Sequence, residues 1–284
     1  MVSSMDSVAL PAELERLRSQ IRAYGSVLVC YSGGIDSALV LAVAHEQLGK
    51  RAFGMTAVSP SLPAAERAGA EQVALSLGAQ HFVVNSNELS RPGYVANASD
   101  RCFYCKSELY EIAKQKQLEL GLAQILNGTN ADDVGDHRPG LRAASDASVQ
   151  SPLLDLGIGK TGVRALARAL GLPIWDKPAS ACLASRIPYG TQVTIERLDQ
   201  VGAFEAALHV LGFRQVRVRW HEQVARIEVP LPDLERLCAA PMRDQVVAAG
   251  KRAGFAYVTI DLAGYRVGSH NEVLPRRALP LIAS

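Results

Sequence analysis

The chain has 284 residues, 48% of them hydrophobic and 20% charged, a globular balance that excludes a disordered or fibrous protein. Thirty Lys and Arg against 28 Asp and Glu leave a net charge of +2, which gives no support to a nucleic-acid binder working through a basic surface. No apolar run reaches the roughly 18 residues of a membrane span, and the N-terminal stretch lacks a secretory pattern, so a cytoplasmic protein without membrane or nucleic-acid partners is expected.

The first part of the chain alternates strands with helices. "SVLVCY" (26–31) reads as a strand, Asp36–Leu48 as a helix, "AFGMTAV" (52–58) as a strand and 63–78 as a helix. "HFVVN" (81–85), a helix over Lys106–Leu120, the strand "AQILNGT" (123–129) and a helix over 161–170 follow. Apolar strands separated by helices predict a parallel sheet covered on both faces, with ligands beyond the carboxyl ends of its strands. After "SRIPYG" (185–190) the pattern changes to a helix over Thr194–Leu211, two strands of period two (214–220 and 224–229), a helical stretch over 231–250 and a strand over 255–262. Residues 1–187 are therefore expected to form an α/β domain and residues 188–284 a smaller α+β domain.

The first strand runs into "YSGGIDS" (31–37). Gly33 and Gly34 let backbone N–H groups converge on an anion, Ser32 and Ser37 add hydroxyls, and a helix N-terminus follows. That order predicts a phosphate-binding turn, with Asp36 acting through a metal or holding the loop. The near-Walker stretch "LDLGIGKTG" (154–162) has Leu154 where the first glycine belongs, which leaves Lys160 as a separate phosphate contact. Lys177 is a further candidate of the same kind, and either lysine could instead be a solvated surface residue. Asp132 and Asp133 of "NGTNADD" (127–133) suit either Mg²⁺ or the capping of a helix.

Five cysteines in a reducing compartment suggest thiol or metal chemistry rather than disulfides. Cys30 lies in the first strand and reads as core, and Cys238 reads as inert. Cys102 and Cys105 form a C-x-x-C, which alone could be half a zinc site, a redox pair or two buried small residues. With Cys182 they make three thiolates, a set that leaves one iron of a [4Fe–4S] cluster open to sulfide.

The "SGGIDS" turn resembles the PP-loop of the N-type ATP pyrophosphatases, which split ATP between its α- and β-phosphates and adenylylate a substrate oxygen. "HRPGLRA" (137–143), "SRIPYG", "VRVRWH" (216–221), "ARIEVP" (225–230) and "VTIDLAGYRVG" (258–268), in that order, resemble the LarE family of that superfamily. The resemblance implies an adenine nucleotide alpha hydrolase-like domain and ATP with Mg²⁺ on Ser32, Gly33, Gly34, Asp36, Ser37 and Lys160. It implies a pyridinium-3,5-biscarboxylic acid mononucleotide as substrate, its phosphate held by Ser185, Arg217 and Arg266, and conversion of its carboxylates to thiocarboxylates for a nickel-pincer nucleotide.

One subtype of the family sacrifices a cysteine, whose place falls on Ala181 here. The other carries a [4Fe–4S] cluster on three cysteines, implied here to be Cys102, Cys105 and Cys182, and takes sulfur from a sulfide donor. The cluster-dependent form is expected, with Cys182 also open to the sacrificial role. Arg217 and Arg219 share one face of their strand, as an anion clamp or as a solvated face. Glu205 and Glu228 match positions of a metal site at a subunit contact of the family, whose third carboxylate is replaced by Arg236. The resemblance implies a homo-hexamer. The competing expectations are a tRNA-thiolating enzyme, an amidating ligase of the GMP- or NAD-synthetase kind, and a non-catalytic nucleotide sensor.

Overall fold

The computed structural model describes residues 4–135, 139–178 and 180–274; His137 and Arg138 of "HRPGLRA" lie outside the described residues. The chain divides into two compact units, one of Met1–Val95 with Asp100–Cys182 and one of Ala96–Ser99 with Leu183–Ser284. Among the described residues no helix is long and apolar enough to cross a membrane.

The first unit opens with helix α1 (Ser4–Ala23) and then alternates β1 (Val27–Cys30), α2 (Ile35–Leu48), β2 (Ala52–Val58), α3 (Ala64–Ser76) and β3 (Gln80–Asn85). The short α4 (Pro92–Val95), the long α5 (Arg101–Leu120), β4 (Gln124–Leu126), α6 (Pro139–Asp146), α7 (Pro152–Asp155) and α8 (Lys160–Ala169) complete it. The four strands form one parallel sheet in the order β3-β2-β1-β4. Strand order reverses at β1, so the crevice beyond its carboxyl end is the switch point where ligands of such sheets bind.

Period-two geometry explains why β1 is apolar throughout. Val27, Val29 and Tyr31 enter one core with Leu17 and Ile21 of α1, Leu39 and Val43 of α2, and Val163 and Leu166 of α8. Leu28 and Cys30 enter the other with Met55, Tyr110 and Ala113 of α5 and Ile125. Cys30 is therefore a core residue, and burial pushes its thiol up to about 12.

Helix α5 begins at Arg101, earlier than the expected Lys106, so Cys102 and Cys105 lie in its first two turns rather than in a loop before it. Three residues apart on a helix, they share a face.

In the second unit α9 (Ile195–Val210) starts at the expected place, with the Thr194 hydroxyl accepting from the Arg197 N–H. Strands β5 (Arg217–His221) and β6 (Val224–Glu228) pair antiparallel, and β7 (Tyr257–Ile260) pairs parallel with β6. The expected helix over 231–250 is two helices, α10 (Leu234–Cys238) and α11 (Met242–Arg252), because Pro241 interrupts it. Phe204, Leu208, Phe213, Val218, Ile227 and Phe255 are buried in this unit. Asn97, in a left-handed conformation that asparagine tolerates, donates to the carbonyls of Pro188 and Thr191 at 2.8 Å each and so fixes the "SRIPYG" turn.

Candidate functional site

The turn after β1 is shaped by its own hydroxyls. Ser37 Oγ accepts from the Ser32 N–H at 3.2 Å and donates to the Gly34 carbonyl at 3.1 Å, closing the loop over the start of α2. Gly33 has φ +76°, and a Cβ there would stand 2.9 Å from Ala70 Cβ, so both the conformation and the close approach of α3 require glycine. Ser32, Gly33, Gly34, Asp36 and Ser37 are thus brought together at the switch point.

Asp36 joins the loop to its surroundings. One carboxylate oxygen accepts from Lys160 Nζ at 2.6 Å and the other from Asn130 Nδ2 at 3.1 Å. Lys160 thereby reaches the loop from the first turn of α8, although it follows no Walker sequence. Asp132 accepts from the Lys160 backbone N–H at 2.7 Å, which places this carboxylate on the N-terminus of α8. Asp133 accepts from the Asn130 N–H at 3.1 Å. Asn130, buried and bonded on three sides of this cluster, escaped the sequence reading; its position two residues before paired aspartates was the available signal.

Gly128 packs against the opposite side of the loop. A Cβ there would stand 2.5 Å from the Ser37 backbone nitrogen and 2.8 Å from its Cα. Gly128→Ala must therefore push β4's exit away from the start of α2. Nucleotide affinity measured by calorimetry is expected to fall at least tenfold, about 1.4 kcal/mol, and an unchanged affinity would show that the loop tolerates the shift.

Cys102, Cys105 and Cys182 belong to the same unit as the loop. Cys105 is half-buried; burial, and then the negative forms of Cys182, Glu88 and Cys102, push its thiol up to about 12 against the opposing pull of Lys106. Cys102 keeps exposed surface, yet the protein around its thiol, followed by Cys182, raises its pKa as well. A charge on Cys182 thus disfavours the ionised forms of Cys102 and Cys105. Lys106 is a residue the sequence reading missed: burial alone would lower its pKa, but Tyr110, Cys105, Cys30 and Cys102 outweigh it and raise it. Among the described residues no three His, Cys, Asp or Glu side chains converge closely enough to hold a single metal ion.

In the second unit the arginines do not face solvent. Arg217 and Arg219 are 8% and 7% exposed, so the alternation of β5 marks two covered faces. Arg219 grips Glu228 with two bonds of 2.9 and 2.8 Å and donates to the Ser185 carbonyl at 2.8 Å. Arg186 grips Glu205 with bonds of 2.8 and 3.0 Å and donates to Ser185 Oγ at 2.8 Å. The Arg217 guanidinium lies 5.4 Å from the Tyr265 ring centre, and burial followed by the Arg186 charge lowers its pKa. Ser185 and Arg217 therefore sit in one buried guanidinium cluster. Arg266 lies at a more exposed position, doubly bonded to Glu272 at 3.0 Å. Glu205 and Glu228 hold arginines, and Arg236 stacks on Phe213 at 4.4 Å and donates to the Leu211 carbonyl.

A parallel sheet that leaves its central strand through a Ser-Gly-Gly-x-Asp-Ser turn at the switch point is the nucleotide-binding architecture of the PP-loop ATP pyrophosphatases, a superfamily of nucleotide-using enzymes. The asparagine synthase family model matches residues 14–134. Over 94% of its length the chain is 43% identical to the uncharacterized protein slr1717 of Synechocystis sp., of which it covers 100%. It is 38% identical to the pyridinium-3,5-bisthiocarboxylic acid mononucleotide synthase of Lactiplantibacillus plantarum, covering 90% of this chain and 93% of that protein. It is 27% identical to the uncharacterized protein MJ0830 of Methanocaldococcus jannaschii, over 84% and 90% of the two chains. The chain belongs to the LarE family of PP-loop enzymes, with the Lactiplantibacillus synthase as a relative of named activity.

Proposed function

We propose that the protein is an ATP-dependent sulfur transferase that converts carboxylates of pyridinium-3,5-biscarboxylic acid mononucleotide to thiocarboxylates, with release of AMP and diphosphate. The observation that carries this reading is the placement of a phosphate-type loop and the three cysteines in one compact unit, where a charge on Cys182 bears on both Cys102 and Cys105. The likeness to the Lactiplantibacillus synthase over nearly its whole length supplies the substrate.

In the first step a substrate carboxylate oxygen attacks the α-phosphorus of ATP and diphosphate leaves. The N–H groups of the Gly33–Gly34 turn, the hydroxyls of Ser32 and Ser37, and Lys160 beside Asp36 hold the phosphates, where negative charge grows on the departing group. Mg²⁺ supplies further neutralisation of the triphosphate. In the second step reduced sulfur attacks the acyl carbon, the bond to the AMP oxygen breaks, and one carboxylate oxygen leaves with AMP. Anionic sulfur needs no general base, and AMP is a good leaving group.

The residues fit a [4Fe–4S] cluster. The donor set is made of thiols alone, and the neighbouring charges that disfavour free thiolates at Cys102 and Cys105 would be offset by coordination to iron. Cys102, Cys105 and Cys182 would hold it, and its open iron supplies a place for hydrosulfide. In the second unit a substrate phosphate beside Arg217 would offset the burial and the Arg186 charge that lower the Arg217 pKa. Ser185 stands beside that guanidinium pair, and Arg266 offers an outer contact.

Anaerobic purification tests the cluster. Protein with about four irons per chain and the broad visible absorption of a [4Fe–4S] centre is expected, and colourless, iron-free protein would transfer the sulfur role to Cys182 alone.

A further inference from the structure

The two glycines of the nucleotide loop leave its peptide planes with little resistance to rotation, so their orientation needs an outside restraint. Lys177 provides one. It lies in the stretch 172–178 after α8, where Arg164 donates to the carbonyls of Trp175 at 3.3 Å and Lys177 at 3.2 Å. Arg168 covers the Trp175 ring from 5.1 Å. From this anchored stretch the Lys177 ammonium donates to the Gly33 carbonyl at 3.0 Å and pairs with Glu66, in the first turn of α3, at 2.8 Å.

The Gly33–Gly34 peptide is trans, so its carbonyl and its N–H lie in one plane and point in opposite directions. An ammonium fixed on the Gly33 oxygen therefore turns the Gly34 N–H away from Lys177, while Ala70 and the Glu66 carbonyl crowd Gly33 itself. The lysine that sequence reading assigned to phosphate is spent on the backbone that binds phosphate.

We propose that Lys177 is a positioning residue for the triphosphate: with Glu66 it holds the Gly33–Gly34 peptide plane so that the Gly34 N–H faces the nucleotide. The inference rests on the reading of this loop as the ATP site. Calorimetric titration of the full chain with Mg²⁺ and α,β-methylene-ATP tests it, with AMP, which lacks the outer phosphates, as the second probe. Lys177→Met is expected to weaken the triphosphate analogue by roughly tenfold to a hundredfold, the range of one charge-assisted hydrogen bond, and to leave AMP binding within about twofold. Glu66→Ala is expected to weaken the analogue as well, and the double variant to be no worse than Lys177→Met, because both act through one contact.

Wild-type affinity in Lys177→Met overturns the proposal. Tighter binding in Glu66→Ala does so too, since a released Lys177 would then be a direct phosphate ligand. Equal loss of both nucleotides makes the residue structural instead. A wild-type chain that binds neither nucleotide would defeat the ATP-site reading itself.

Discussion

Cys102→Ala is expected to release diphosphate from ATP at the wild-type rate when acceptor is present, while thiocarboxylate formation falls by about a thousandfold or more. The two steps use different groups. Adenylylation depends on the loop at the end of β1, and Cys102 stands apart from it in the first turn of α5. Residues that act as a unit lose nearly the whole effect when one is removed, which sets the expected size. Separate assays of diphosphate and of the thiocarboxylate product check it. Equal loss of both activities would make Cys102 a support of the fold. Retained product, with Cys182 lighter by about 34 Da as dehydroalanine, would assign the sulfur to that cysteine.

Glu205→Ala is expected to be the most destabilising single change in the second unit. Glu205 accepts two bonds from Arg186 and a third, at 2.8 Å, from the Val218 N–H of β5, and Arg186 is 2% exposed. Removing the carboxylate takes the doubly bonded partner from a buried guanidinium, which costs about 3–5 kcal/mol. That corresponds to a drop in melting temperature on the order of 10 °C, read by circular dichroism. Arg186→Leu combined with Glu205→Leu is expected to recover much of the loss, because the penalty lies in the uncompensated charge. A Glu205→Ala protein melting within about 2 °C of wild type would mean that water reaches Arg186.

The nucleotide loop was legible in the sequence because each of its requirements has a residue signature. An unbroken apolar strand needs two cores, a positive φ needs Gly33, and a helix N-terminus follows Gly34. The α9 start was legible for the same reason, since Thr194 caps it. The start of α5 was not: Asp100 stands at its N-cap position without a side-chain capping bond, and the aromatic and cysteine residues after it carry no helical pattern. The break at Pro241 was written in the sequence and overridden by the helical periodicity around it. Helix α1 was left unassigned, with Pro11 inside it.

The guanidinium cluster shows a different limit. Alternation along β5 separates Val218 from Arg217 and Arg219, but period two cannot tell a solvated face from one covered by the "SRIPYG" turn and the chain near Ser269. Lys177 and Asn130 were equally hidden as positioning groups, because each acts on backbone or on another side chain far away in sequence. Residue type suggested an anion as the partner of Lys177 and no partner for Asn130. Only the fold puts a carbonyl and a carboxylate there instead.

The most direct test of the account is the fate of ATP labelled at its α-phosphate, incubated with the protein, Mg²⁺ and the pyridinium dicarboxylate mononucleotide. A loop that holds the outer phosphates as the departing group predicts label in AMP, with diphosphate formed in equal amount. Label in ADP, with orthophosphate released, would contradict it.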